Sequence, residues 1–144
     1  MPKPSQEDAQ LLLKLVEFVN SDYYRKAWRW VVNDFSAEKY EDFVRKYPKG
    51  SEEYQRVGNV LGFFETAGVL VSHGLLHEDL FFDLSFGMDL VWPKISPIIP
   101  GWQKEAGLAL WENAIWLVDR YQAWQKKVWK PNLSWKMKSG KSKK

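Results

Sequence analysis

Between Val57 and Val71 only Asn59, Glu65 and Thr66 carry polar side chains. A run that long exceeds an ordinary strand. It is apolar around most of its circumference, so it reads as a helix enclosed by other elements. Its main inward stripe is Val57, Val60, Leu61, Phe64, Gly68 and Val71. Ser51 with Glu52 and Glu53 opens it, acidic groups standing at the positive end of the helix dipole. Gly74 is placed to close it. A chain with such a helix must supply others to cover it.

The rest of the sequence supplies them. Ser5 with Asp8 three positions on is a capping-box start for a first helix with Leu11, Leu12, Leu15, Val16 and Phe18. Ser21 or Asp22 caps a second through Tyr24, Ala27, Trp28, Val31 and Val32. Ser36 is read as the cap of a short third helix with Tyr40, Phe43, Val44 and Tyr47, stopped by Pro48-Lys49-Gly50. His77-Glu78-Asp79 begins a fifth with Leu80, Phe81, Leu84 and Met88. Gly87, Pro93 and Pro97 predict a kinked stretch, and Pro100-Gly101 a turn. A last helix is expected from about Lys104 to Trp129, its stripe running Leu110, Ala114, Leu117, Tyr121, Trp124 and Val128. No alternating run is long enough to build a sheet. The expected fold is all-α: one compact domain of about six helices, bundle-like or orthogonal, over residues 1–131. A Lys-rich basic C-terminal tail, read as disordered, follows over 132–144.

Composition narrows the chemistry. Cysteine is absent, which removes disulfides, thiolate zinc sites and cysteine nucleophiles. Two histidines exclude a three-histidine metal site. No segment reaches the about 20 apolar residues that span a bilayer, so no integral membrane segment is expected. The start of the chain, Met1 to Asp8, is polar and acidic without a signal-peptide core, and the expected location is the cytoplasm. The net charge of +3 hides an asymmetry: from Arg120 onward there are nine Lys or Arg and no acid. An acidic body therefore carries a basic end. Nine Trp are unusual for 144 residues, and Trp serves both cores and interfaces.

The segments Val57-Gly58-Asn59-Val60-Leu61-Gly62-Phe63-Phe64-Glu65, Ala67-Gly68-Val69-Leu70-Val71, Gly74-Leu75-Leu76, Asp79-Leu80 and Asp83-Leu84 form a pattern. Trp92 and Trp111-Glu112-Asn113-Ala114-Ile115-Trp116-Leu117 follow downstream. Together they resemble a family of small, helical, mostly bacterial domains of unknown function. The resemblance covers roughly residues 40–120 and rests on Asn59-x5-Glu65-x2-Gly68 with the later Gly-Leu-Leu and the aromatic-Glu-Asn segment. Where that family often has a Phe-Glu pair in the last segment, this chain has Ala114-Ile115. The resemblance implies an all-helical fold and no particular activity.

Several residues are candidates for chemistry. His73 and His77 have the four-residue spacing of a helical metal pair, but Gly74 stands between them where the helix should stop. Glu78, Asp79 and Asp83 form an acidic cluster that a first helical turn explains as well as catalysis does. Gly58, Gly62 and Glu65 lie on one side of the central helix with Asn59 beside them. They are read as a buried polar seam against another helix, or as a groove with Glu65 at its base. No catalytic, cofactor-binding or metal site emerges, and no nucleophile elbow or phosphate loop is present.

A second set forms a contact surface: Trp116, Trp129 and Trp135 with Lys126, Lys127 and Lys130. Interleaved Trp and Lys suit an anionic membrane surface or a nucleic acid. Trp116 groups with Ala109 and Ala123 at seven-residue spacing, which predicts a narrow seam. The helix that fills it would be the first or second of this chain, or a second copy in a homodimer. The leading reading is an interaction or scaffold module with an unidentified protein partner. The alternatives are a peripheral membrane or nucleic-acid binder using the C-terminus, and a carboxylate-dependent enzyme using Glu65, Asp79 and Asp83.

Overall fold

The computed structural model describes residues 2–128, and these are all-helical. The order is α1 Gln6–Val19, α2 Asp22–Asn33, α3 Tyr40–Lys46, α4 Glu52–Ser72, α5 Glu78–Leu84, α6 Met88–Ile95, α7 Ile99–Ala106 and α8 Glu112–Val128. Short 3-10 turns join α5 to α6 and α6 to α7. No strand occurs among the described residues.

The starts follow local hydrogen-bonding chemistry. Ser5 Oγ accepts from the Asp8 N–H at 3.1 Å while Asp8 Oδ2 accepts from the Ser5 N–H at 2.8 Å, a reciprocal capping box. Ser21 and Ser51 cap α2 and α4 by accepting from the Tyr24 and Tyr54 amides. At α3 the expectation fails. Ser36 caps nothing; Lys39 holds the N-cap position without a side-chain bond. Residues 36 to 39 instead carry the chain between two buried rings, Phe35 and Tyr40.

α4 is the core helix. Val57, Val60, Leu61, Phe64, Gly68 and Val71 are all buried, as are Phe63 and Ala67 on the flanks. It packs most extensively on α8 and next on α2. Its C-terminus is a Schellman motif: Gly74, at φ +73°, donates to the Val71 carbonyl and Leu75 to that of Leu70.

The last helix is two helices. Gly107, at φ +67°, ends α7, and the chain re-enters helix only at Glu112. Gln103 Nε2 holds the connection by donating to the Leu110 carbonyl at 2.6 Å. Pro100-Gly101 is no turn but the first turn of α7, where proline costs no hydrogen bond. Trp102 then joins an aromatic cluster with Tyr40, Phe43 and Tyr54. The expected stripe survives the break, with Ala114, Leu117 and Tyr121 buried and Leu110 and Trp124 half-buried.

The predicted glycine seam lies elsewhere on α4. A Cβ placed on Gly58 or Gly62 would have no neighbour within 4 Å. One on Gly68 would lie 2.2 Å from the Asn113 carbonyl oxygen. The close approach of α8 is therefore made at Gly68, because Gly58 and Gly62 are spaced away from the buried stripe. Opposite effects follow from one substitution type. Gly62→Ala should stabilise the domain by about 0.5–1 kcal/mol through helix propensity. Gly68→Ala should destabilise it by about 1–3 kcal/mol or more, because the atom in the way is backbone. Urea unfolding measures both, and equal effects would contradict this placement of the seam.

Candidate functional site

Of the carboxylates that the sequence puts forward, Glu65, Glu78 and Asp79 are tied into the fold. Glu65 Oε1 accepts from the backbone N–H groups of Asn113 and Ala114, both at 3.0 Å, and Oε2 from Asn113 Nδ2 at 2.7 Å. The first amides of a helix have no intrahelical partner. A side chain of α4 thus caps α8 from outside its own segment. Trp111, just before that helix, has φ +65° and its buried indole N–H lacks a partner among the described residues. Glu65 also borders a concavity of about 350 Å³, formed with Leu108–Glu112 and not with the glycines.

Glu78 is buried and takes three hydrogen bonds from the Arg120 guanidinium, the shortest 2.9 Å. Arg120 is held above its ordinary pKa, first by its hydrogen bonds to Glu78 and then by that charge. Asp79 accepts from Trp124 Nε1 at 2.8 Å, and Asp83 is exposed. His77 is the N-cap of α5, its Nδ1 accepting from the Asp79 N–H at 3.1 Å. Nε2 then carries the proton and faces the Pro2 carbonyl at 2.6 Å. The His77 N–H donates to Asp8 Oδ1 at 2.9 Å. The Asp8 carboxyl is held below the usual range by the Ser5 N–H, the Ser5 hydroxyl and, less, the His77 backbone. His73 is exposed and does not join His77. No group of three or more His, Asp or Glu is placed to hold a metal ion among the described residues.

Open space lies instead along the C-terminal half of α1. One cavity, about 440 Å³, is lined by Leu15, Phe18, Asn59, Gly62, Phe63 and Thr66. Asn59 Nδ2 donates to the Tyr23 hydroxyl at 2.7 Å at its edge. A second, about 320 Å³, is lined by Val19, Tyr24, Arg25, Trp28, Arg29 and Phe86. An aromatic partition divides them: Phe18, Tyr24 and Phe63 have ring centroids 5.2–6.0 Å apart, and Phe86 lies behind, tilted at 5.3 Å from Phe63. The Tyr24 hydroxyl is buried without a partner among the described residues, and burial raises its pKa well above the usual tyrosine value. The predicted polar set is therefore split. Asn59 and Gly62 face the α1 cleft, Gly58 is open, and Glu65 belongs to the α8 junction.

The second contact set fares differently. Ala109 lies in the α7–α8 connection rather than on a helix with Trp116, so the predicted seam has no straight edge. Neither α1 nor α2 is among the principal neighbours of α8, and Trp116 is 39% exposed. Lys126 and Lys127 are exposed on the last turns of α8. Trp129, Lys130, Trp135 and the tail lie outside the described residues. Sequence reasoning missed Arg25, Trp28, Arg29 and Phe86. The available signal was two arginines four apart on α2, the first near the positive end of that helix.

The two segments that carry the resemblance, Glu65-x2-Gly68 and Trp111-Glu112-Asn113-Ala114, meet in space at the α4–α8 junction. A family model for a domain of unknown function, DUF4760, matches residues 4–121. The chain belongs to the DUF4760 family. The match takes in α1 to the middle of α8, and so includes the junction and both cavities. Neither the curated proteins nor the solved structures gave a match to this DUF4760 chain.

Glu65 is expected to be structural in this domain. Glu65→Ala should lower stability by about 2–4 kcal/mol, since two backbone amides and one side-chain amide lose their acceptor. A loss below about 1 kcal/mol in urea unfolding would contradict the capping role.

Proposed function

We propose that this DUF4760 domain is an interaction module that takes apolar groups of a ligand into the cavities beside α1, with no catalytic part for Glu65, Asp79 or Asp83. The observation that carries this reading is α1 itself. It presents Leu11, Leu12, Leu13, Leu15, Val16, Phe18 and Val19, yet none of its residues is fully buried. Leu13 is 65% exposed and Phe18 49%. A helix that apolar normally completes a core. Here a cavity remains on each flank of its C-terminal half, within the size range of small-molecule sites. Of the carboxylates weighed for catalysis, Glu65 caps α8 and Asp79 accepts from Trp124, while Asp83 is exposed. No helix among the described residues is long and apolar enough to cross a membrane.

Amide NMR with N-phenylnaphthylamine, a neutral two-ring probe, tests the reading. Shifts should concentrate on Leu15–Val19, Asn59–Thr66 and Ser85–Gly87. Gly62→Leu, which fills the larger cavity, should abolish those at Leu15, Phe18 and Thr66. Shifts scattered over the surface, or confined to Leu108–Glu112, would overturn it.

A further inference from the structure

The smaller cavity has a charge that the larger one lacks. Its apolar wall is Val19, Trp28 and Phe86, and its polar edge is Arg25 and Arg29. Both arginines are exposed, and neither enters an ion pair among the described residues. Asp22, three residues before Arg25, does not pair with it. Like charges four apart on a helix repel, and Arg25 also stands in the first turn, against the dipole. That arrangement is unfavourable for the isolated domain and favourable for an anion.

The backbone opposite is strained. Ser85, Phe86 and Gly87 all have left-handed φ, at 55°, 52° and 74°. Such strain in non-glycine residues persists where the surroundings enforce it, and it clusters at ligand clamps. Here it brings Phe86 onto the cavity and seats the Trp28 ring against Gly87, where a Cβ would meet it at 2.6 Å. Tyr24, which also lines the cavity, holds a buried hydroxyl without a partner among the described residues.

Building on the binding-module reading, we propose that this cavity binds a soluble amphiphilic anion. A flat apolar body lies against Trp28 and Phe86, and a carboxylate, sulfonate or phosphate head is held by Arg25 and Arg29. Guanidinium groups bind such heads through charge-assisted, often bidentate hydrogen bonds. A cavity of about 320 Å³ suits a body of one or two rings.

The test compares two probes on the full chain by fluorescence titration. Anilinonaphthalene sulfonate carries the anion, and N-phenylnaphthylamine has the same rings without it. Arg25→Gln combined with Arg29→Gln should weaken the sulfonate about tenfold or more and leave the neutral probe unchanged within about twofold. Added salt should weaken only the sulfonate. Arg25→Lys with Arg29→Lys should restore part of the affinity. The Gln variant should melt no lower than the parent, since it removes a like-charge pair. Sulfonate binding indifferent to both arginines, or equal weakening of the two probes, overturns the proposal while leaving the module reading in place. Failure of both probes to bind overturns both. A third arm uses phosphatidylglycerol vesicles. Sedimentation with vesicles that depends on Arg25 and Arg29, without binding of free sulfonate, would make a membrane headgroup the source of the anion and overturn the soluble ligand.

Discussion

The Glu65 carboxylate holds the N-terminus of α8 against the middle of α4, and the rest of the fold is arranged around that contact. The start of a helix needs acceptors for its first amides, usually from a neighbouring Ser, Thr, Asp or Asn. α8 follows Trp111, which offers no such group. Its acceptor comes from α4, 48 residues earlier. The bond fixes where α8 begins and at what height it meets α4. Gly68, one turn further along, lets the two backbones close, and Ala114 and Leu117 then bury directly against the core helix.

The other polar contacts act as fasteners of the same kind. Asp8 serves α1 through the Ser5 capping box and α5 through the His77 amide. Glu78 and Asp79, in the first turn of α5, hold Arg120 and Trp124 of α8. α5 is thereby tied to both the first and the last helix. Removing Arg120 would leave the buried Glu78 carboxylate without its partner, whereas Arg120 itself is half exposed to water, so these bonds specify packing more than they add net stability. α1 packs on the core only through half-buried residues such as Leu11, Leu12, Leu15 and Val19, and two of the cavities flank its C-terminal half.

Much of the architecture was legible in the sequence because it rests on local signals. The helix starts at Ser5, Ser21 and Ser51, the stop at Gly74 and the buried stripe of α4 all follow from spacing and cap chemistry. The break between α7 and α8 was hidden. Residues from Lys104 to Trp129 keep a helical period on both sides of it, and one glycine is weak evidence for a stop. Its cause is a cap supplied from a distant segment, which no local pattern reveals. The glycines misled for a related reason: an interior glycine signals an absent side chain but not which neighbour, if any, uses the space. Gly68 does, and Gly58 and Gly62 do not. The cavity edged by Arg25 and Arg29 was illegible because its opposite wall, Phe86, comes from a left-handed turn of non-glycine residues that sequence preference argues against.

Native-state hydrogen exchange on the unmodified chain tests the central claim most directly. The Asn113 and Ala114 amides have no carbonyl partner within α8 and depend on Glu65 alone. If the carboxylate caps the helix, both should exchange about as slowly as amides in the interior of α8, and in Glu65→Ala they should become the fastest of that helix. Exchange of both amides at the rate of an exposed loop in the unmodified protein would contradict the account.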